Sequence, residues 1–393
     1  MATSTNKSAV LFAYGFRPFF LVGSGWSLLM LAIWLLVLEG TLSWQSKLAL
    51  PLWHAHEMLY GFVAASAAGF LLTASPNWSR KPALQGKPLQ WLLLFWLLGR
   101  LAVTANPWLS EWLVAVADML FPVALIVATG PTLWFTGNKV HRIFPLLLLI
   151  MAMGNILFHG QAVGLLDNSA RSGLYVGIDA IVFFLIMVGG HIMPMFTRNA
   201  LAANEILPPF PIKPWLEIAG AVSMGAIVIS DWIDPYSSLG GGLLILASIV
   251  QGWRLSMWHS LKTLKIPILW VLHIGYGWLV LGLFLRGLAQ LGYLLPPSTA
   301  LHALTIGAMG LFTIGIMSRV SLAHTGRGLV ASTSLVMAFY CILTAALVRV
   351  FASLLWPAES LFLSGLLWLL AFILFLYQFT SILLQPRADG LPG

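Results

Sequence analysis

Apolar residues in this chain run in long unbroken stretches. They show neither the two-residue alternation of half-buried strands nor the narrow stripe of a soluble helix. A run of about 20 apolar residues is what a helix needs to cross the hydrocarbon of a bilayer. Read with the loop punctuation between them, the runs predict spans over 18–38, 53–73, 89–106, 110–135, 143–166 and 173–196. Six more follow over 215–233, 236–256, 267–292, 299–321, 329–353 and 359–384. The expectation is an all-α, polytopic integral membrane protein of about twelve transmembrane helices. It forms a single transmembrane domain over 1–393, with a short polar N-terminus at 1–15 and a short C-terminal tail at 385–393.

Composition leaves room for little else. Hydrophobic residues make up 60% of the 393 residues and charged residues 8%, where a soluble domain carries about a quarter charged. Mean hydropathy is +0.92. Twelve spans exhaust the length, so no soluble catalytic domain fits. The basic residues then orient the chain, because cytoplasmic loops collect Lys and Arg. With the N-terminus cytoplasmic, fifteen of the twenty basic residues fall in inner segments, beginning with Lys7 and Arg17. The other five, Lys47, Arg100, Arg171, Arg286 and Arg349, fall outside or in outer halves of helices. Both termini are therefore expected in the cytoplasm. The net charge of +8 is dispersed over short loops, without the contiguous basic face that nucleic acid requires. No cleavable signal is evident, since the polar start runs into a full-length span. One cysteine, Cys341, lies within a span, which excludes an internal disulfide, a Cys-based zinc or iron–sulfur site, and covalent haem attachment.

Against this background the nine histidines carry the chemistry. Polar side chains inside a membrane are costly and mark functional sites, and imidazole is the common protein ligand of haem iron and copper. Topology sorts them by depth. His54 and His56 open the second helix at the outer face, His159 lies in the outer half of the fifth, and His302 starts the tenth. His191, His273 and His324 lie on the inner side, while His141 and His259 belong to basic inner loops and read as solvated headgroup contacts. Two layers of histidine on opposite sides of the bilayer are what two metal or haem centres would require.

Spacing refines the picture. His54 and His56 are about 200° apart on a regular helix and cannot both face one centre. Glu57, one turn from His54, is placed to orient its second nitrogen, and Asn155 stands one turn before His159. The plainer alternative for Trp53-His54-Ala55-His56-Glu57 is interfacial anchoring. In the tenth helix Gly307, Gly310 and Gly315 make a thin surface beside His302, open to a flat ring or to close helix packing. Arg319, His324 and Arg327 at its end form a cationic cluster suited to haem propionates or another anion, or simply a positive-inside loop. His273 with Gly275, Tyr276 and Gly277 is similar. Arg286, Asp179 and Asp118 are further buried charges whose partners spacing does not reveal. His56 to Gly61 and His302 to Gly307 repeat a His-x4-Gly step, a short internal echo.

At these residues the chain resembles the NnrS family of membrane proteins. The likeness is carried by Phe16-Arg17-Pro18-Phe19-Phe20, by Trp53-His54-Ala55-His56-Glu57 ending at Gly61, and by Leu272-His273-Ile274-Gly275-Tyr276. It continues through His302-Ala303, Gly307-Ala308-Met309-Gly310, Met317-Ser318-Arg319 and His324-Thr325-Gly326-Arg327. The resemblance implies a bacterial inner-membrane protein that carries copper and non-covalent, b-type haem and serves denitrification and tolerance of nitric oxide and nitrosative stress. By position it implies His54, His56, His302, His273, His324 and His159 as metal ligands. It implies Arg17, Arg319, Arg327, Glu57 and Tyr276 as cofactor-binding residues. The stretch ending at His191 departs from the family, which has Arg there more often.

Two readings of function follow. One is a haem and copper protein that binds or processes nitric oxide or another diatomic, drawing electrons from quinol or another donor. The other is a secondary transporter of a small anion or proton-coupled solute, for which twelve spans are a common count; an assembly factor without turnover is a third. No residue set in the sequence dictates a reaction, and none identifies a catalytic residue.

Overall fold

A computed structural model describes residues 10–202, 213–293 and 295–391. Lys7 and most of the polar start lie outside the described residues. Twelve long helices carry the chain, with no strand among the described residues. They are α1 (Phe16–Glu39), α2 (Leu50–Ser79), α3 (Lys87–Thr104), α4 (Glu111–Trp134), α5 (Lys139–Ala162) and α6 (Ser169–Leu201). Then come α7 (Pro214–Ile233), α8 (Ser238–Ser256), α9 (Pro267–Gln290), α10 (Pro297–His324), α11 (Thr333–Leu354) and α12 (Pro357–Leu384). Each matches one expected span in order. Eleven are long and apolar enough to cross a membrane; α3, which carries Lys87, Gln90 and Arg100 beside its leucines, is not among them. The fold is that of a polytopic all-α membrane protein.

The chain divides into two compact units. The first comprises Met1–Gly177, Met317–Leu329 and Phe372–Gly393, and the second Ile178–Ile316 and Val330–Ala371. Within the first, segments expected on the inner side meet at one end. Gly86 N–H donates to Phe12 C=O at 2.9 Å and Ala388 N–H to Thr325 C=O at 2.9 Å. Arg17 Nη1 donates to the carbonyls of Leu383 and Gln385, both at 2.8 Å, closing the otherwise unsatisfied C-terminus of α12. The outer loops meet at the other end of α1, where Lys47 pairs with Glu111 at 2.8 Å and its N–H donates to Asn106 Oδ1 at 2.7 Å.

Two helices are not regular. In α2 the residues Glu57–Val63 form a π-helix, as do Ala303–Gly310 in α10, and each follows a histidine directly. Such widened turns are rare and frequent at functional sites. The glycine that completes each His-x4-Gly step receives an indole from a neighbouring helix. A Cβ on Gly61 would stand 2.6 Å from Trp26 of α1, and one on Gly307 would stand 2.6 Å from Trp278 of α9. The sequence echo thus corresponds to a repeated local arrangement.

Candidate metal centre

The first unit brings together polar side chains from four helices near the ends expected to face outward. α2 contributes His56 and Glu57, α3 Arg100, α4 Asp118, and α5 Asn155 and His159; all six are buried. Gly99 makes the approach of α3 to α4 possible, since a Cβ there would lie 2.8 Å from Asp118 Oδ1 and 2.9 Å from its Cα. An apolar cluster of Met30, Trp53, Val103 and Val114, backed by Trp26, Trp34 and Trp44, packs beside this outer end.

The contacts converge on one carboxylate oxygen. Asp118 Oδ2 lies 2.9 Å from His159 Nε2, 3.2 Å from His56 Nε2 and 2.8 Å from Asn155 Nδ2. His56, Asp118 and His159 each offer a ligand atom, and these atoms lie within 4.8 Å of one another. It is the one such group of three among the described residues. His56 Nε2 also faces Asn155 Oδ1 at 3.0 Å, and its Nδ1 faces Glu57 Oε1 at 3.1 Å. Both ring nitrogens of His56 therefore point at acceptors, so Nε2 needs either a proton or a metal ion there. The ring is clamped between aromatic neighbours, with Phe158 stacked at 4.4 Å and Tyr60 at 4.9 Å between centroids.

Charge favours a cation at this point. Arg100 bridges the two carboxylates, donating from Nη1 to Glu57 Oε1 at 2.7 Å and from Nη2 to Asp118 Oδ1. Trp26 Nε1 donates to the other oxygen of Glu57 at 2.7 Å. Two carboxylates against one guanidinium leave one negative charge over, and isolated charge is strongly disfavoured in hydrocarbon. A protonated His56 or a bound metal ion offsets it. Beside the cluster lies a cavity of about 20 Å³ bounded by Tyr60, Arg100, Asp118, Phe121, Leu125 and Met151.

The family model described as NnrS protein matches residues 10–387. The chain belongs to the NnrS family. No curated protein matches it.

Of the residues that the NnrS resemblance singles out, the structure brings His56, His159 and Glu57 into this cluster. His54 turns away and stacks on Trp34, with centroids 4.6 Å apart and planes at 17°. His302 lies in the second unit, its Nδ1 2.6 Å from Ser298 C=O. His273 has Thr197 Oγ1 and Ser260 Oγ on its two ring nitrogens, each at 2.9 Å. His324 lies against Tyr14 and Phe16, at centroid distances of 6.4 and 5.8 Å. Arg17 serves the end of α12 as described. Arg327 Nη1 donates to Thr325 C=O at 3.2 Å, and Arg319 is half-buried at the end of α10. Tyr276 is buried, receiving Arg254 Nη1 at 2.7 Å and donating to Gln251 Oε1 at 2.5 Å.

Several local expectations change. Glu57 orients His56 rather than His54, and Asn155 bonds His56 and Asp118 rather than His159. His141 is buried rather than solvated, stacked on Trp78 at 4.7 Å, and Trp53 is fully buried. Asp118, read only as a buried charge, sits at the focus of the cluster. Arg100 is one of the five exceptions to the charge rule, and spacing assigns it no role. Its signal was present: a guanidinium late in an apolar helix, preceded by a glycine.

Proposed function

We propose that His56, Asp118 and His159 form the transition-metal centre of a bacterial inner-membrane protein that binds nitric oxide during nitrosative stress. The observation that carries this reading is the convergence of two imidazole nitrogens and a carboxylate oxygen on one buried point. That donor set suits copper, which the family resemblance implies. It equally matches the two-histidine, one-carboxylate arrangement of non-haem iron, whose remaining positions are open to small molecules. Glu57 behind His56 supplies the partner that fixes the orientation of a ligating imidazole. The ion would act as the Lewis-acidic and redox-active element, with His56, Asp118 and His159 as its ligands.

The surroundings fit a small apolar gas. A cavity of about 20 Å³ is the room of roughly one water-sized molecule. Its wall is chiefly apolar, with Arg100, Asp118 and Asn155 of the cluster among its lining residues. A neutral diatomic partitions into the membrane and meets a mostly apolar wall beside the ion. The same cavity is far too small for a porphyrin, so the residues of this cluster fit an ion and not haem. The haem that the resemblance implies is assigned to no residues here. Quinol or another reductant as electron source also rests on the resemblance alone.

The test is nitric oxide binding by the purified, reduced protein under anaerobic conditions, followed by optical and electron paramagnetic resonance spectra. The expected result is a saturable nitrosyl signal that disappears in H159A and D118N while both variants still insert in the membrane. A nitrosyl signal unchanged in both variants overturns the assignment.

A further inference from the structure

The second unit contains a buried ion triad that the metal centre does not use. Asp179 of α6, Asp231 of α7 and Arg286 of α9 are 0%, 0% and 2% exposed. Arg286 Nη1 donates to Asp179 Oδ1 at 2.5 Å and Nη2 to Asp231 Oδ2. This repeats the pattern of the first unit, where one guanidinium holds two carboxylates from separate helices with its two terminal nitrogens. One difference decides the chemistry. Near Asp118 two histidines face the surplus negative charge, whereas Asp179 Oδ2 and Asp231 Oδ1 are buried with no hydrogen-bond partner.

The other charged and titratable groups described in this unit are engaged elsewhere and do not offset that charge. Arg254 on α8 is bound by Glu217 on α7, with 2.6 Å between Nη2 and Oε2. His273 on α9 is held between Thr197 and Ser260, His302 on α10 lies beside Ser298 C=O, and His191 on α6 is exposed. Two carboxylates and one guanidinium thus leave a net negative charge in hydrocarbon, where such a group neutralises rather than stays ionised. Two carboxyl groups held by one guanidinium accommodate this by taking up one proton between them.

We propose that Asp179, Asp231 and Arg286 form an intramembrane proton-binding site in which the two carboxyl groups share one exchangeable proton. Asp231 lies near the end of α7 at Ile233, on the side expected to face outward, which gives the proton a short path to water. Buried carboxyls of this kind are the relays by which membrane proteins tie proton movement to other work. The inference is independent of whether the first unit holds a metal.

The experiment is infrared difference spectroscopy on the purified full-length protein in liposomes, with pH steps and exchange into D2O. The wild type is expected to show a carboxylic-acid C=O band at neutral pH that shifts in D2O. Because either substitution leaves one carboxylate balanced by Arg286, D179N and D231N should each abolish the whole band. Elution as a single species and a retained thermal unfolding midpoint serve as folding controls. If the amide variants fail to fold, D179E should fold and keep a band at an altered frequency. The proposal is overturned by a band absent from the wild type, by one that survives in both amide variants, or by a folded D179E without it. Sodium-dependent thermal stabilisation that the variants lose would assign a cation to the site and would also overturn the proton.

Discussion

The geometry around Asp118 makes Arg100 as consequential as the candidate ligands. Its guanidinium is buried and holds Glu57 and Asp118 in place, and a buried pair that loses one partner leaves an uncompensated charge. Arg100→Gln should therefore lower the stability of the purified protein by about 3–5 kcal/mol, read as a fall in the thermal unfolding midpoint. An unchanged midpoint would show that the charge is satisfied elsewhere. His54→Ala should leave bound metal unaltered, because its ring rests on Trp34. At this scale the sequence was partly legible. The separation of His54 from His56 followed from helical geometry. The partner of Glu57 did not, since adjacent residues do not face each other on an α-helix, and only the π-turn that starts at Glu57 accompanies the change. Asp118 and Arg100 lie on different helices, and no spacing rule relates them.

The helices themselves were legible because hydrocarbon imposes one requirement on every span. All twelve follow the apolar runs, with shifts confined to their ends: α6 extends to Leu201 through Pro194, and α2 continues to Ser79 through Pro76. The π-segments were not legible, because a stretch apolar on all sides carries no phase. The His-x4-Gly echo marked their positions without revealing their conformation. Gly61 gives this element-scale account a direct check. Its replacement by Ala would force a methyl group against Trp26, and overpacking of this kind costs about 1–3 kcal/mol. It should also disturb the hydrogen bond from Trp26 to Glu57, a support whose loss typically weakens metal binding by about 10–100-fold. Competitive chelation would measure the second effect. Equal affinity in G61A would mean that Trp26 does not hold Glu57 in its working position.

For the whole molecule, the distribution of basic residues predicts orientation. On a Cys341→Ser background, a cysteine at Lys47 should react with an impermeant maleimide added outside intact cells. One at Lys139 should react only after the membrane is opened. The reverse pattern would invert the topology and move the His56 cluster to the cytoplasmic half. Family membership was legible from motifs spread between residues 16 and 327, yet most motif histidines lie outside the cluster that the fold assembles. The motifs identify the family, and tertiary packing selects which of their side chains meet. The central question is whether the side chains that meet hold an ion. The most direct measurement is elemental analysis of the purified wild type beside D118N and H159A, each quantified against protein. About one copper or iron per chain, lost from both variants with monodisperse protein retained, is the predicted result. A wild type without transition metal after growth in copper- and iron-supplemented medium would contradict it, as would metal content unchanged in both variants.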